Sequence, residues 1–250
     1  MVQQLAESVT LCVCVCVCVC VERALALCWE QADPEVWEQW REGRSPVFYL
    51  LTQGRTGQRW RSERVPRTGW VYRNVQHPES VSDHMYRMAM MALTVQDTSV
   101  NRDRCVKIAL VHDLAESIVG DIAPADKISK AEKHRREKEA MDHITGLLRE
   151  DLRKELYQLW EEYETQSSPE ARLVKEFDQL EMILQAHEYE ELEGKPGRLQ
   201  EFFDSTQGRF HHPDVLALVK SLNEERAQHM AKAEESSSKN NGDQKSSSSS

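Results

Sequence analysis

The chain lacks the short motifs that mark several large enzyme classes. It has no Gly-rich phosphate loop, no Gly-x-Ser-x-Gly turn and no Cys-x-x-Cys pair, so P-loop, α/β-hydrolase and thioredoxin-like chemistries find no support. It also lacks a basic surplus: 32 Lys and Arg against 42 Asp and Glu leave a net charge of −10. That balance disfavours a nucleic-acid polymer or an anionic membrane as partner. The first 20 residues hold no Lys or Arg, so a secretory leader would be missing its charged start. The longest apolar run stops at Glu22-Arg23, short of the roughly 20 residues that a membrane-crossing helix needs. Beyond residue 28 the sequence has a single cysteine, Cys105. That scarcity fits a reducing, cytoplasmic setting, with mitochondrial or nuclear placement also compatible.

What is present divides unevenly along 250 residues. Residues 12–21 read Cys-Val five times, ending at Val21, a strict period of two. Metal-binding cysteines come in pairs separated by turns, and this alternation offers none. An in-frame (GT)n repeat translates to this pattern, so residues 1–63 are expected to be an atypical, poorly ordered segment. Residues 22–62 hold Trp29, Trp37, Trp40 and Trp60 without a sustained helical or strand period. The Ser-rich stretch 234–250 reads as a disordered tail. The organised domain is expected over 64–233.

Within that domain the periodicity is helical and no convincing alternating strand occurs, which predicts an all-α bundle of about six helices. Asp83 to Val95 places His84, Met88, Met91 and Val95 on one face, with Ser82 positioned as a cap. Asn101 to Ser117 predicts a second helix with Cys105, Ile108, Ala109 and His112 aligned. Ile118 to Pro124 reads as a loop, and Ser129-Lys-Ala-Glu132 as a capping box opening a charged helix to about Leu148. Leu152, Leu156, Leu159, Trp160 and Tyr163 define an amphipathic helix. Ser168-Pro169 starts the next, which runs to about Gly194, and Pro213 starts the last.

Polar residues on apolar stripes carry the chemical signal. His84 shares its stripe with Met88 and Met91, His112 extends that of Ile108 and Ala109, and Asp113 adjoins it. Asp178 lies between Val174 and Met182 at i−4 and i+4. Singly, each has an ordinary explanation: a core histidine, a chance dipeptide, a carboxylate paired with Arg. Jointly, two imidazoles and two carboxylates from three helices suit a divalent transition metal with open coordination positions. Glu116, four residues after His112 and three after Asp113, could reach a second metal or a metal-bound water as general acid or base. Asp121 follows on the loop. His134 belongs to a charge run read as a solvated face, and His143, His187 and His211-His212 are set aside for want of comparable partners.

The spacing His84 … His112-Asp113 … Asp178 resembles the HD-domain metal-dependent phosphohydrolases, specifically their 5′-deoxynucleotidase branch. The stretches Arg64-Val-Pro-Arg-Thr-Gly-Trp-Val-Tyr-Arg-Asn-Val75, Glu79-Ser-Val-Ser-Asp-His84 and Ala109-Leu-Val-His-Asp-Leu-Ala-Glu-Ser-Ile-Val-Gly-Asp-Ile-Ala-Pro-Ala-Asp126 carry the likeness, which runs from about Arg64 to about Met230. The resemblance implies that His84, His112, Asp113 and Asp178 bind a first divalent cation (Mn, Co, Mg, Cu or Zn). It implies that Glu116, Asp121 and the Ile122 carbonyl serve a second cation or the substrate, with Glu116 catalytic. An adjacent Arg-Trp pair holds the nucleotide in the bacterial members; Arg67 and Trp70, with two residues between them, are the nearest equivalents here. The implied reaction is hydrolysis of deoxyribonucleoside 5′-monophosphates, and the implied assembly is a homodimer. The family's fold normally begins with an amphipathic helix where this chain has Val47 to Glu63, including Gly54 and Gly57. That departure keeps two alternatives open: another HD-type nucleotide phosphohydrolase, or a metal-binding scaffold with impaired catalysis.

Overall fold

The computed structural model describes residues 65–246, and side chains as far as 235 except 234. The readings made for residues 1–64, the Cys-Val repeat and the replaced first helix among them, lie outside the described residues.

Six helices of ten or more residues carry the described domain: α2 (Val81–Leu93), α3 (Arg102–Val111), α5 (Lys130–Thr145), α6 (Glu150–Thr165), α7 (Pro169–Leu192) and α9 (Pro213–Ser246). Three short ones punctuate them: α1 (Thr68–Tyr72), α4 (Glu116–Val119) and α8 (Gln200–Ser205). The all-α expectation holds: among the described residues extended pairing is limited to one isolated bridge, Pro66 with Ser80. Helix α7 is central, packing against α2, α3, α6, α8 and α9. Its inward face supplies Leu173, Val174, Phe177, Leu180 and Ile183, all buried. Trp70, Met88, Ile108, Met141 and Trp160 close the core from the surrounding helices. Among the described residues no helix is long and apolar enough to cross a membrane.

Local signals explain most of the ends. Ser168 Oγ accepts the Ala171 N–H, and Pro169 follows at the first helical position, where its missing N–H costs nothing. Ser129 Oγ accepts the Glu132 N–H, but Glu132 binds Arg135 and Arg136 rather than returning to the cap. Each such cap is worth about 1 kcal/mol. The cap of α2 is Ser80, not Ser82: Ser80 Oγ accepts the Asp83 N–H, and Asp83 accepts the Ser80 N–H in return.

Two further expectations need correction. The helix predicted over Asn101 to Ser117 stops at Val111, because hydrogen bonding tightens from i−4 to i−3. Leu114, Glu116 and Ser117 donate to the carbonyls of Val111, Asp113 and Leu114. Helix α4 then ends at Gly120, whose φ of 78° favours glycine, so the loop is shorter than the expected Ile118 to Pro124. Helix α9 runs as far as Ser246, into the segment from 234 that the sequence analysis sets apart. No proline interrupts the sequence from Asp214 to Ser246, and extending an anchored helix adds one hydrogen bond per residue fixed.

Candidate metal centre

The start of α2, the end of α3 with the turn after it, and the middle of α7 bring the site together. The bridge between Pro66 and Ser80, with Arg67 N–H donating to the Glu79 carbonyl and Val81 N–H to the Val65 carbonyl, sets Arg67 beside the start of α2. One turn into α2 stands His84, fully buried. His112 and Asp113 sit where α3 gives way to i−3 bonding. In such a turn residues i and i+3 eclipse, which stacks Glu116 over Asp113. Asp178 comes from the middle of α7.

These side chains converge. His84 Nε2 lies 3.2 Å from Asp178 Oδ1 and 3.8 Å from Asp113 Oδ2. His112 Nε2 lies 3.1 Å from the same Asp113 oxygen. Ligand atoms of His84, His112 and Asp178 all fall within 4.8 Å of one another. Arg67 reaches Asp113 at 3.3 Å and Asp178 at 3.8 Å. On its far side Asp178 Oδ2 accepts from Tyr163 Oη and from Lys175 Nζ, both at 2.7 Å.

The fit to a metal ion rests on the histidine tautomers. His112 Nδ1–H donates to the Ala109 carbonyl at 2.9 Å, and His84 Nδ1–H to Glu181 Oε2 at 2.6 Å. Each bond leaves Nε2 as the position for a metal once that nitrogen gives up its proton. With no ion there, burial and Arg67 oppose the charged form of His84, but Asp178 and Glu181 outweigh them and raise it to about 10, so a cation would take the place of a proton. Both Nε2 atoms are buried and make no hydrogen bond of good geometry. A buried polar atom without a partner costs roughly 1–3 kcal/mol, and coordination would satisfy both. Glu181 fixes the orientation of the His84 ring from behind, as carboxylates bonded to metal-binding histidines commonly do.

The electrostatics are those of crowded carboxylates held by cations. Burial opposes ionisation of Asp178, but Lys175 and the two histidines hold its carboxyl well below the usual range. Asp113 is likewise depressed, by His112, Arg67 and His84 against the cost of burial. Glu116 moves the other way: burial, then the Asp113 and Asp121 carboxylates, push it well above the usual value. Its Oε2 has no hydrogen-bond partner, and its Oε1 lies 3.5 Å from Lys133 Nζ. Burial first, then Glu181, raises Glu79 to about 7.

Of the sequence-derived candidates, His84, His112, Asp113, Asp178 and Arg67 meet in one cluster, with Glu116 beside it. Asp121 is differently engaged: its Oδ2 accepts the Thr68 N–H at 2.6 Å and its carbonyl accepts from Thr68 Oγ1. It thereby fixes the backbone next to Arg67. Ile122 is half-buried on the same loop. Trp70 is 2% exposed, donates its indole N–H to Glu79 at 2.8 Å, and packs its ring on Tyr189 and Phe202.

Four polar contributors went unread in the sequence. Glu181 follows Asp178 at i+3, a spacing that shares its helical face. Tyr163 was read as core, yet its hydroxyl serves Asp178 and its ring lies 4.6 Å from that of His112. Lys175, three residues before Asp178, donates to its carboxylate at 2.7 Å. Lys133 sat within the charge run taken for a solvated face; it and the buried Glu137, four residues on, turn inward instead.

Comparison with known proteins was then informative. The HD domain family model matches residues 61–216. The chain is 80% identical over 169 residues to the 5′-deoxynucleotidase HDDC2 of Danio rerio, spanning 68% of this chain and 84% of that protein. It is 70% identical over 171 residues to the Homo sapiens protein of the same name, with 68% and 84% covered. Among solved structures, the PH0347 protein of Pyrococcus horikoshii OT3 superposes with a TM-score of 0.53 at 31% identity, covering 67% of this chain and 94% of that one.

Proposed function

The chain belongs to the HD-domain family, and from that membership we propose that it is a metal-dependent 5′-deoxynucleotidase, releasing phosphate from deoxyribonucleoside 5′-monophosphates. The observation that carries the reading is the pair of buried, unpartnered Nε2 atoms of His84 and His112 facing the Asp113 and Asp178 carboxylates. Relatives at 70–80% identity carry the same activity in their names.

His84, His112, Asp113 and Asp178 would hold the cation, which when bound supplies Lewis-acid charge to the phosphate and lowers the pKa of a water. The mixed imidazole and carboxylate set suits Mn, Co, Cu or Zn better than Mg, which prefers oxygen alone. Arg67, at the edge of the cluster, neutralises phosphate oxygens as charge builds on them. Glu116 is the catalytic acid or base: burial and its carboxylate neighbours favour a held proton, which it can deliver to the departing 5′-oxygen. Lys133 keeps that carboxyl in place from 3.5 Å. Asp121 is a positioning residue for Arg67 through Thr68, and with the Ile122 carbonyl it is the candidate for a second cation or the sugar.

The proposal takes the domain as 64–233 and the working unit as a homodimer; exposed Met90 and Leu93 on α2 and Leu218 on α9 support a partner face. A cytoplasmic setting is supported by Cys105, the one cysteine among the described residues, a free buried thiol that burial pushes up to about 11. The deciding assay strips the protein of metal, resupplies Mn, Co, Mg, Zn or Cu, and follows products from ribo- and deoxyribonucleoside mono-, tri- and cyclic phosphates. Phosphate should appear from deoxyribonucleoside monophosphates. Its absence in metal-loaded protein overturns the reading, and products only from tri- or cyclic phosphates move the chain to another HD chemistry.

A further inference from the structure

A second group of donors lies away from this centre, where α7 meets the last helix. His187 and Glu191 occupy i and i+4 on α7, and His229 faces them from α9. His187 follows Asp178 by nine residues, about 14 Å along the helix axis at 1.5 Å per residue. The sequence offers His187 no comparable partner nearby; the one on α9, His229, is 42 residues further along the chain.

The geometry is that of a three-donor set. His229 Nδ1 lies 2.6 Å from Glu191 Oε1, and His187 Nε2 lies 3.9 Å from Glu191 Oε2. The two imidazoles stack with centroids 5.3 Å apart and planes 25° from parallel. One ligand atom from each residue falls within 4.8 Å of the other two. The three line a cavity of about 280 Å³ with Glu190, Gly194 and Arg226.

Two observations separate this from a surface ion pair beside a core histidine. His187 is 3% exposed and its Nε2 makes no hydrogen bond, a cost that nothing else in the cavity repays. The nearest buried cation, Arg226, is already spent: it binds both oxygens of Glu190 at 2.8 and 3.0 Å and Gln200 at 2.8 Å. Glu190 is thus taken by Arg226, whereas Glu191 is the carboxylate that meets the two imidazoles, at 2.6 and 3.9 Å. Exposed Lys232 also lines the cavity, so binding there must come from donor bonds rather than from a negative field.

We propose that His187, Glu191 and His229 form a second site, for a divalent transition-metal ion of the zinc class, that clips α9 to α7. Two imidazole nitrogens and one carboxylate are the donors such ions take, with a fourth position left to water. Magnesium and calcium, which want oxygen alone, are excluded by the same set. The clip joins residues on two different helices, so its occupancy sets how firmly the last helix is held.

The site is independent of the nucleotidase reading, and the test keeps the two apart. The full chain, its cysteines kept reduced with a phosphine, is dialysed against Co²⁺ and bound cobalt is counted per chain. Wild type should hold one more ion than His229→Ala or His187→Ala, with at least a tenfold weaker Kd for that ion in Glu191→Gln. Far-UV circular dichroism and metal-dependent phosphate release should match wild type in His229→Ala, whose side chain is 31% exposed. Should His187→Ala fail to fold, the His229→Ala count decides alone. Equal cobalt in wild type and His229→Ala overturns the proposal, whatever the enzyme assay gives. A wild type that releases no phosphate yet loses one cobalt on His229→Ala overturns only the nucleotidase reading.

Discussion

Glu181 accepts the Nδ1–H of His84 at 2.6 Å, and both side chains are fully shielded from solvent. The bond fixes which nitrogen of His84 carries the proton and aims the other at Asp113 and Asp178. Outer-shell carboxylates of this kind tune metal affinity by about 10–100-fold. Glu181→Gln keeps an acceptor but removes the charge, and Glu181→Ala removes both. Metal Kd, read by competition with a chromophoric chelator, should weaken in the order Gln then Ala, with Ala at the upper end of that range. An unchanged Kd in the Ala variant would show that His84 is oriented by packing alone.

Removing the metal should cost stability as well as activity. The centre gathers Asp113, Asp178 and Glu116 around Arg67, with two imidazoles unsatisfied at Nε2. An ion that binds only the folded chain adds about 2.7 kcal/mol when present at 100 times its Kd. For a domain of this size that corresponds to a rise in Tm of about 5–10 °C. Differential scanning calorimetry with and without Mn²⁺ or Co²⁺ should show that rise in His229→Ala, which lacks the other proposed site, and should lose it in His112→Ala. A rise that survives His112→Ala would place the stabilising ion elsewhere.

Glu116 separates binding from chemistry. Its carboxyl is 2% exposed, is held near Lys133, and is biased toward the protonated form by burial and by Asp113 and Asp121. General acid–base groups contribute about 10²–10⁴-fold. Glu116→Gln should therefore lower kcat within that range while cobalt stoichiometry at the catalytic centre stays at the wild-type value. A drop in bound metal with kcat per bound metal unchanged would make Glu116 a ligand instead.

What could be read from the sequence followed from periodicity. The six long helices appear as 3.6-residue stripes, and Ser168-Pro169 or Asn101 mark starts because caps act through immediate neighbours. His84, His112, Asp113 and Asp178 stood out because a polar side chain on an apolar stripe demands a partner. What could not be read is long-range or three-dimensional. Trp70 is drawn inward by Glu79, Tyr189 and Phe202, the last two more than 110 residues away, and no local pattern announces that. Lys133 and Glu137 sit in a run where every position is polar, so no apolar contrast marks the two that turn inward. His187 and His229 belong to separate helices whose apposition is a property of the packed bundle.

The pH dependence of stability should show at Glu162, which joins three helices. Its carboxylate accepts Arg104 Nε at 2.9 and 3.0 Å from α3, and the hydroxyl of Ser168, the cap of α7, donates to it. Burial opposes ionisation, but Arg104 and Ser168 outweigh it and hold the carboxyl below its ordinary value. A folded pKa below the unfolded one, about 4.3, means that the stabilisation is complete above the unfolded value. It is then lost as pH falls through the folded one. Glu162→Gln should cost about 1–2 kcal/mol at pH 7, the range for charge-assisted bonds discounted because the guanidinium is half-exposed and screened. Urea unfolding at pH 7 and again below pH 4 should show the gap between wild type and variant closing in acid, where the wild-type carboxyl takes up a proton. A gap that stays constant would mean that the Ser168 contact, not the ion pair, is what Glu162 contributes.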